Sequence, residues 1–145
     1  MERSPPVTVI VADTGALYAL VDASDAWHAR VVAWWGVAGR AEVVVPVTVL
    51  PELAYLLQTR IGPAAESAFI RAVVDGEFPV EPLEPEDAER AAALMERYED
   101  APLGFVDATV VALCERLQTR DLLTTDRRHF PLVRPRHTKA LALHP

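Results

Sequence analysis

Apolar and polar positions follow two regimes along this chain. Val7–Ala12, Glu42–Val45 and Leu122–Thr124 are short runs with few polar side chains, the pattern of strands buried on both faces. Longer segments of helical length lie between them, punctuated by capping residues, glycine and proline. Ser24 is placed to cap a helix through about Trp35, ended by Gly36 and Gly39. Thr48 is placed to cap a helix reaching Arg60, with Pro51 tolerated in its first turn. Gly62-Pro63 breaks that helix, and Ala64 to Val74 forms the next. A short strand is predicted near Phe78–Val80, then a helix from Pro85 through Tyr98 and a turn at Asp100-Ala101-Pro102. Gly104 to Leu117 reads as a helix apolar nearly all round, hence central, and Lys139–Leu143 as the last strand. Strands alternating with helices imply right-handed crossovers. The predicted fold is α/β, a three-layer α/β/α sandwich with a central parallel sheet.

Composition narrows the class. The 145 residues are 51% hydrophobic and 24% charged, which excludes disorder and suits one domain spanning 1–145, with residues 1–6 as a flexible N-terminal arm. The lone Cys114 excludes a disulfide framework and thiolate zinc sites, and reads as a small core residue. No apolar run approaches the roughly 18 residues of a membrane helix. No signal peptide is evident, so a soluble cytoplasmic protein is expected. The net charge of −7 disfavours generic polyanion binding. It is unevenly spread, however: Asp75 to Glu115 holds twelve acids against two arginines, whereas Arg116 to Pro145 holds seven basic residues against two acids. The basic end can still hold a polyanion locally.

Four acids interrupt apolar surroundings. Asp13 follows the first strand and Asp126 follows Leu122-Leu123-Thr124-Thr125, at the strand ends where parallel sheets bind ligands. Asp107 lies in Phe105-Val106-Asp107-Ala108-Thr109-Val110, and Glu52 in Val49-Leu50-Pro51-Glu52-Leu53-Ala54. Singly, each has a structural reading as a turn former, a cap or a first-turn acid favoured by the helix dipole. Together they point to one site, because gathered carboxylates repel unless protonated or bridged by a cation. Oxygen donors without cysteine or paired histidines select a hard ion, Mg²⁺ or Mn²⁺. Such an ion suits phosphoryl chemistry.

The stretches Val11-Ala12-Asp13-Thr14-Gly15-Ala16-Leu17, Val49-Leu50-Pro51-Glu52, Leu103-Gly104-Phe105-Val106-Asp107-Ala108 and Leu123-Thr124-Thr125-Asp126-Arg127-Arg128-His129-Phe130 occur in an order that spans nearly the whole chain. In this combination the sequence resembles the PIN-domain nucleases, most closely the toxin half of VapBC toxin–antitoxin pairs. The resemblance implies a Mg²⁺-dependent endoribonuclease with Asp13, Glu52, Asp107 and Asp126 as its metal-binding and catalytic acids. By that resemblance Asp13 and Asp107 are direct ligands, Glu52 and Asp126 act through water, and Mn²⁺ can substitute. Thr124 matches a supporting hydroxyl. Gly15 departs from the small hydroxyl residue that many relatives carry there, a role Thr14 is placed to take over. An RNA substrate, a small antitoxin that occludes the site and a homodimer are also implied.

Other residues carry competing readings. Asp100, before the central helix, is a turn or cap residue or a metal-site acid. Arg127, Arg128 and His129 follow Asp126 closely enough to hold RNA phosphates, or form a solvated loop. Asp25 and His28 read as a surface pair, and His137 and His144 lack ligand spacing. Trp27, Trp34 and Trp35 read as packing residues. No GxxxxGK or GxGxxG loop is present, which disfavours nucleoside-triphosphate and dinucleotide enzymes. Two rival functions share the predicted fold. A response-regulator phosphoacceptor wants adjacent acids after the first strand and a late lysine, whereas Asp13 stands alone and the only lysine is Lys139. An inactive PIN-fold interaction module would not need all four acids.

Overall fold

The computed structural model describes residues 8–38 and 41–145. The expected N-terminal arm and the helix stop at Gly39 lie outside these residues. Strands β1 (Val9–Ala12), β2 (Glu42–Pro46), β3 (Val80–Glu81), β4 (Asp121–Leu123) and β5 (Ala142–His144) form one parallel sheet in the order β3-β2-β1-β4-β5. The helices are α1 (Thr14–Val21), α2 (His28–Val37), α3 (Val49–Arg60), α4 (Pro63–Val74), α5 (Pro85–Arg97) and α6 (Phe105–Arg116). This is the predicted α/β architecture.

The strand order places the site. From β1 the chain builds outward through β2 and β3, then returns to lay β4 on the other side of β1, with Val11 opposite both Val44 and Leu122. The order therefore reverses between β1 and β4, and the crevice outside their carboxyl ends is the position at which open parallel sheets bind ligands. The Asp13 N–H bonds the Leu123 carbonyl at 2.8 Å, so the residues leaving these two strands emerge side by side. Beneath them Val11, Ala12, Leu122 and Leu123 are fully buried, and α6 covers the sheet with a continuous buried run from Ala108 to Glu115 that includes Cys114.

Several local expectations shift. The sequence reading assigned no element to residues 14–21, yet α1 begins directly after Asp13. Thr14-Gly15-Ala16 has weak helical propensity, and burial of Ala16, Leu17, Tyr18 and Ala19 overrides it. Helix α2 begins at His28 instead of Ser24, whose N–H and hydroxyl both donate to Asp22 in a preceding turn, and it runs through Gly36. Thr48 occupies the N-cap position of α3, but its hydroxyl pairs with that of Thr109 at 2.7 Å. Strand β3 starts at Val80, and Phe78 packs against Phe69 and Trp35. The last strand is Ala142–His144, displaced toward the C-terminus from Lys139–Leu143. Trp34 and Trp35 pack against the core, as expected, and edge-to-face against each other.

The acid-rich middle of the chain is partly internal. Asp87 on α5 is buried and accepts the Arg116 Nε at 3.0 and 3.1 Å, while Arg90 reaches Glu115 through two bonds of 2.8 and 3.1 Å. These pairs tie α5 to α6 and set the orientation of the helix that carries Asp107.

Candidate functional site

Asp13 leaves β1 as the residue before α1, and its side chain is only 6% exposed. The Thr124 hydroxyl donates to Asp13 Oδ2 at 3.0 Å and, having spent its single proton, accepts the Asp126 N–H at 3.0 Å. One hydroxyl thus joins the ends of β1 and β4. Asp126 is held from three further directions. Its Oδ1 accepts the backbone N–H groups of Arg128 and His129 at 2.7 and 2.9 Å, and its Oδ2 lies 2.9 Å from His129 Nδ1. Asp107 projects from the first turn of α6. Ligand atoms of Asp107, Asp126 and His129 all lie within 4.8 Å of one another.

Electrostatics separates these acids. Burial raises the Asp13 pKa to about 7, aided by the negative charges of Asp107 and Glu52 and opposed by hydrogen bonds from Thr14 and Thr124. Burial likewise raises Asp107 to about 6, aided by Asp126 and Glu52 and opposed by His129. For Asp126, burial pushes upward but is outweighed by the hydrogen bonds from His129 and Arg128, which hold it below the ordinary carboxylate range. Glu52 is exposed in the first turn of α3, and its charge acts on both Asp13 and Asp107. Asp13, Asp107 and Asp126 thus lie near one another at the ends of β1 and β4, and Asp13 and Asp107 also feel the charge of Glu52.

The supporting residues divide. Thr14 Oγ1 is buried with no hydrogen-bond partner among the described residues, an unused oxygen beside Asp13. Gly15 is required by close approach, since a Cβ there would stand 2.7 Å from Thr125 Oγ1. Asp100 is exposed in the turn between α5 and α6, and it is absent from the charges that perturb Asp13 and Asp107. Arg127 and Arg128 are exposed, but the imidazole of His129 turns in against Asp126. That inward role was missed in the sequence, where the only signal was the Asp126–His129 spacing of three within a turn. Asp25 and His28 do not pair through their side chains. Asp25 accepts the Trp27 N–H at 2.8 Å, and His28 Nδ1 bonds the Ala19 carbonyl at 2.7 Å. His137 bonds the Thr119 carbonyl and the His144 imidazole bonds Asp121, so both side chains are occupied elsewhere.

A hard divalent cation fits this arrangement. The donors are carboxylate oxygens with one imidazole, two of the acids are destabilised as anions by burial and mutual repulsion, and an unpaired hydroxyl lies beside them. The PIN domain family model matches residues 10–134, which contain all four acids. The chain belongs to the PIN-domain family. This PIN domain is 39% identical over 126 residues to Ribonuclease VapC26 of Mycobacterium tuberculosis, covering 87% of this chain and 93% of that protein. It superposes on the crystal structure of Mycobacterium tuberculosis VapC20, a toxin described as cleaving the sarcin–ricin loop. The TM-score is 0.74 at 28% identity, over 81% of this chain and 90% of that one. VapBC2 from Rickettsia felis, crystallised on a promoter DNA fragment, shares the fold with a TM-score of 0.64 at 12% identity, over 85% of this chain and 91% of that one. No helix among the described residues of the PIN domain is long and apolar enough to cross a membrane.

Proposed function

We propose that this chain is a Mg²⁺-dependent endoribonuclease, the toxin of a VapBC-type pair, acting in the cytoplasm as a single-domain protein. The carrying observation is the convergence of Asp13, Asp107, Asp126 and the charge of Glu52 at the β1/β4 crevice of a PIN fold. Similarity to a ribonuclease along nearly its whole length supports RNA as the substrate. The proposal includes a small antitoxin partner that occludes the crevice, and a homodimer; toxin–antitoxin complexes such as VapBC2 share the fold.

The cation would be held by Asp13 and Asp107, with Asp126 and Glu52 completing the shell through water and Mn²⁺ able to replace Mg²⁺. When bound, it supplies Lewis acidity, offsetting charge on phosphate oxygens and lowering the pKa of a water. The chain's own groups prepare that chemistry. Thr124 fixes the Asp13 carboxylate, while the His129 and Arg128 amides keep Asp126 ionised. Burial raises Asp13 to about 7 and Asp107 to about 6, so both hold protons more tightly than ordinary carboxylates and give them up as a cation binds. Glu52, on the solvent side, is placed to orient water toward the phosphorus. Hydrolysis then forms a phosphorus–oxygen bond from water and breaks the bond to the 3′-oxygen, leaving a 5′-phosphate and a 3′-hydroxyl.

The test is cleavage of a mixed RNA substrate with Mg²⁺ or with EDTA, using identically purified Asp107→Asn protein as control. Cleavage should require both Mg²⁺ and Asp107. Equal cleavage by the variant, or in EDTA, would sink the assignment.

A further inference from the structure

Two arginines on different elements share one indole beside the proposed active site. The Arg30 guanidinium carbon lies 4.8 Å from the centre of the Trp27 ring, and that of Arg127 lies 5.3 Å from the same ring. Both arginines are exposed, and neither makes an ion pair among the described residues. Trp27 is unlike Trp34 and Trp35, which pack against the core; it sits in the turn before α2.

That turn is built to be rigid. The Tyr18 hydroxyl donates to Asp22, the Trp27 N–H is bound by Asp25 at 2.8 Å, and His28 reaches back to the Ala19 carbonyl at 2.7 Å. The contact adjoins the crevice through Arg127. Trp27 follows α1, which starts directly after Asp13, and Arg127 is the residue after Asp126. A guanidinium one residue from so many carboxylates has a strong electrostatic reason to fold onto them and compete with a cation. Stacking on the indole, an attraction between cation and ring quadrupole, holds Arg127 outside the pocket and beside a second positive charge.

We propose that Arg30 and Arg127, positioned by Trp27, form a phosphate clamp that holds single-stranded RNA beside the scissile bond. This rests on the nuclease reading above. Unpaired guanidiniums along a groove are the chemistry of single-strand binding, in which charge follows the backbone without reading the bases. The overall charge of −7 makes such a local positive rim necessary for a polyanion to approach the acidic crevice. Trp27 is a positioning residue here, and the two arginines are the contacts.

The experiment measures binding of a fluorescein-labelled oligouridylate by anisotropy across a salt series, in an Asp107→Asn background that suppresses cleavage. Each phosphate contact to a single strand contributes about 0.7 to the slope of log affinity against log salt. Arg30→Ala and Arg127→Ala should each lower the slope by about 0.7 and weaken binding about fivefold near 0.1 M salt. The double variant should lose about 1.4. Trp27→Ala should lower the slope as Arg127→Ala does, and Trp27→Phe should restore it, a rescue that a purely structural role would not produce in the slope. If the parent binds RNA and both arginine variants keep its slope, the clamp is wrong and the nuclease reading stands. Failure of the parent to bind RNA at any salt would overturn both. Unchanged RNA binding with weakened binding of polyglutamate would assign the patch to an acidic protein partner and overturn the RNA clamp.

Discussion

Replacing Asp13 with asparagine should stabilise the metal-free protein, and by more at high pH than at low pH. Burial and the neighbouring carboxylates raise the Asp13 pKa from its ordinary 3.8 to about 7. The folded state therefore binds more protons than the unfolded state between these values, and stability falls as pH rises through the interval. At pH 8 the cost of keeping Asp13 ionised is at most roughly 4 kcal/mol, taking about 1.36 kcal/mol per pH unit. At pH 5 the group is largely protonated when folded, and the same linkage gives less than about 2 kcal/mol. Asparagine keeps the shape and an oxygen to accept the Thr124 hydroxyl at the position of Oδ2, without the charge. Urea unfolding of both proteins in EDTA at pH 5 and pH 8 measures the two differences. Asp13→Asn should gain about 2–3 kcal/mol more at pH 8 than at pH 5. Adding Mg²⁺ at pH 8 should stabilise the wild type and leave the variant nearly unchanged. Destabilisation of the metal-free variant at pH 8, or an equal gain at both pH values, would show that Asp13 is a structural acid satisfied by its neighbours.

Mg²⁺ binding should release protons, because Asp13 and Asp107 titrate at about 7 and about 6 in the free protein. Calorimetry in buffers of different ionisation enthalpy should show this release, with apparent affinity rising from pH 6 to 8 and then levelling. Asp87→Ala should cost about 2 kcal/mol in urea unfolding, below the roughly 3–5 kcal/mol of a fully buried pair because the Arg116 side chain is 25% exposed. RNA cleavage by the folded variant should persist. Gly15→Ala should cost about 1 kcal/mol through the contact with Thr125 Oγ1, and Thr125→Ala should restore the loss; a destabilisation that survives the second change would place the cause in the backbone.

What could be read beforehand depended on how local the signal was. Val7–Ala12, apolar and largely β-branched, and the short apolar run Leu122–Thr124 are enough to declare β1 and β4, though the strands begin at Val9 and Asp121. The acids were legible as polar interruptions in apolar surroundings, which burial makes expensive unless a site uses them. Helix α1 was illegible because its stability comes from packing of Leu17 and Tyr18, whereas Gly15 argues locally against it. The role of His129 was hidden because sequence position alone does not say which way a loop side chain turns. The clustering of Arg30 with Arg127 was hidden more deeply still, since nearly a hundred residues separate them, one on α2 and the other in the loop after β4.

The chemistry of the crevice follows from the adjacency of β1 and β4. A lone carboxylate at a strand end would sit in water and titrate normally. Here the parallel pairing of Ala12 with Leu123 sets Asp13 beside Thr124, and Thr124 can donate to only one acid. Asp126 must find its donors elsewhere, and the tight turn after it supplies the amides of Arg128 and His129. Asp126 remains an anion in the empty site, whereas Asp13 and Asp107 lie close enough to neutrality for a cation to displace their protons. Three ionised acids would instead keep the apo crevice under continuous repulsion. Three neutral ones would offer an arriving cation little initial attraction. One fixed charge beside two acids whose pKa values are raised to about 7 and about 6 gives a folded apo state that attracts the cation, sheds part of its own repulsion by protonation, and completes its negative shell as the cation enters.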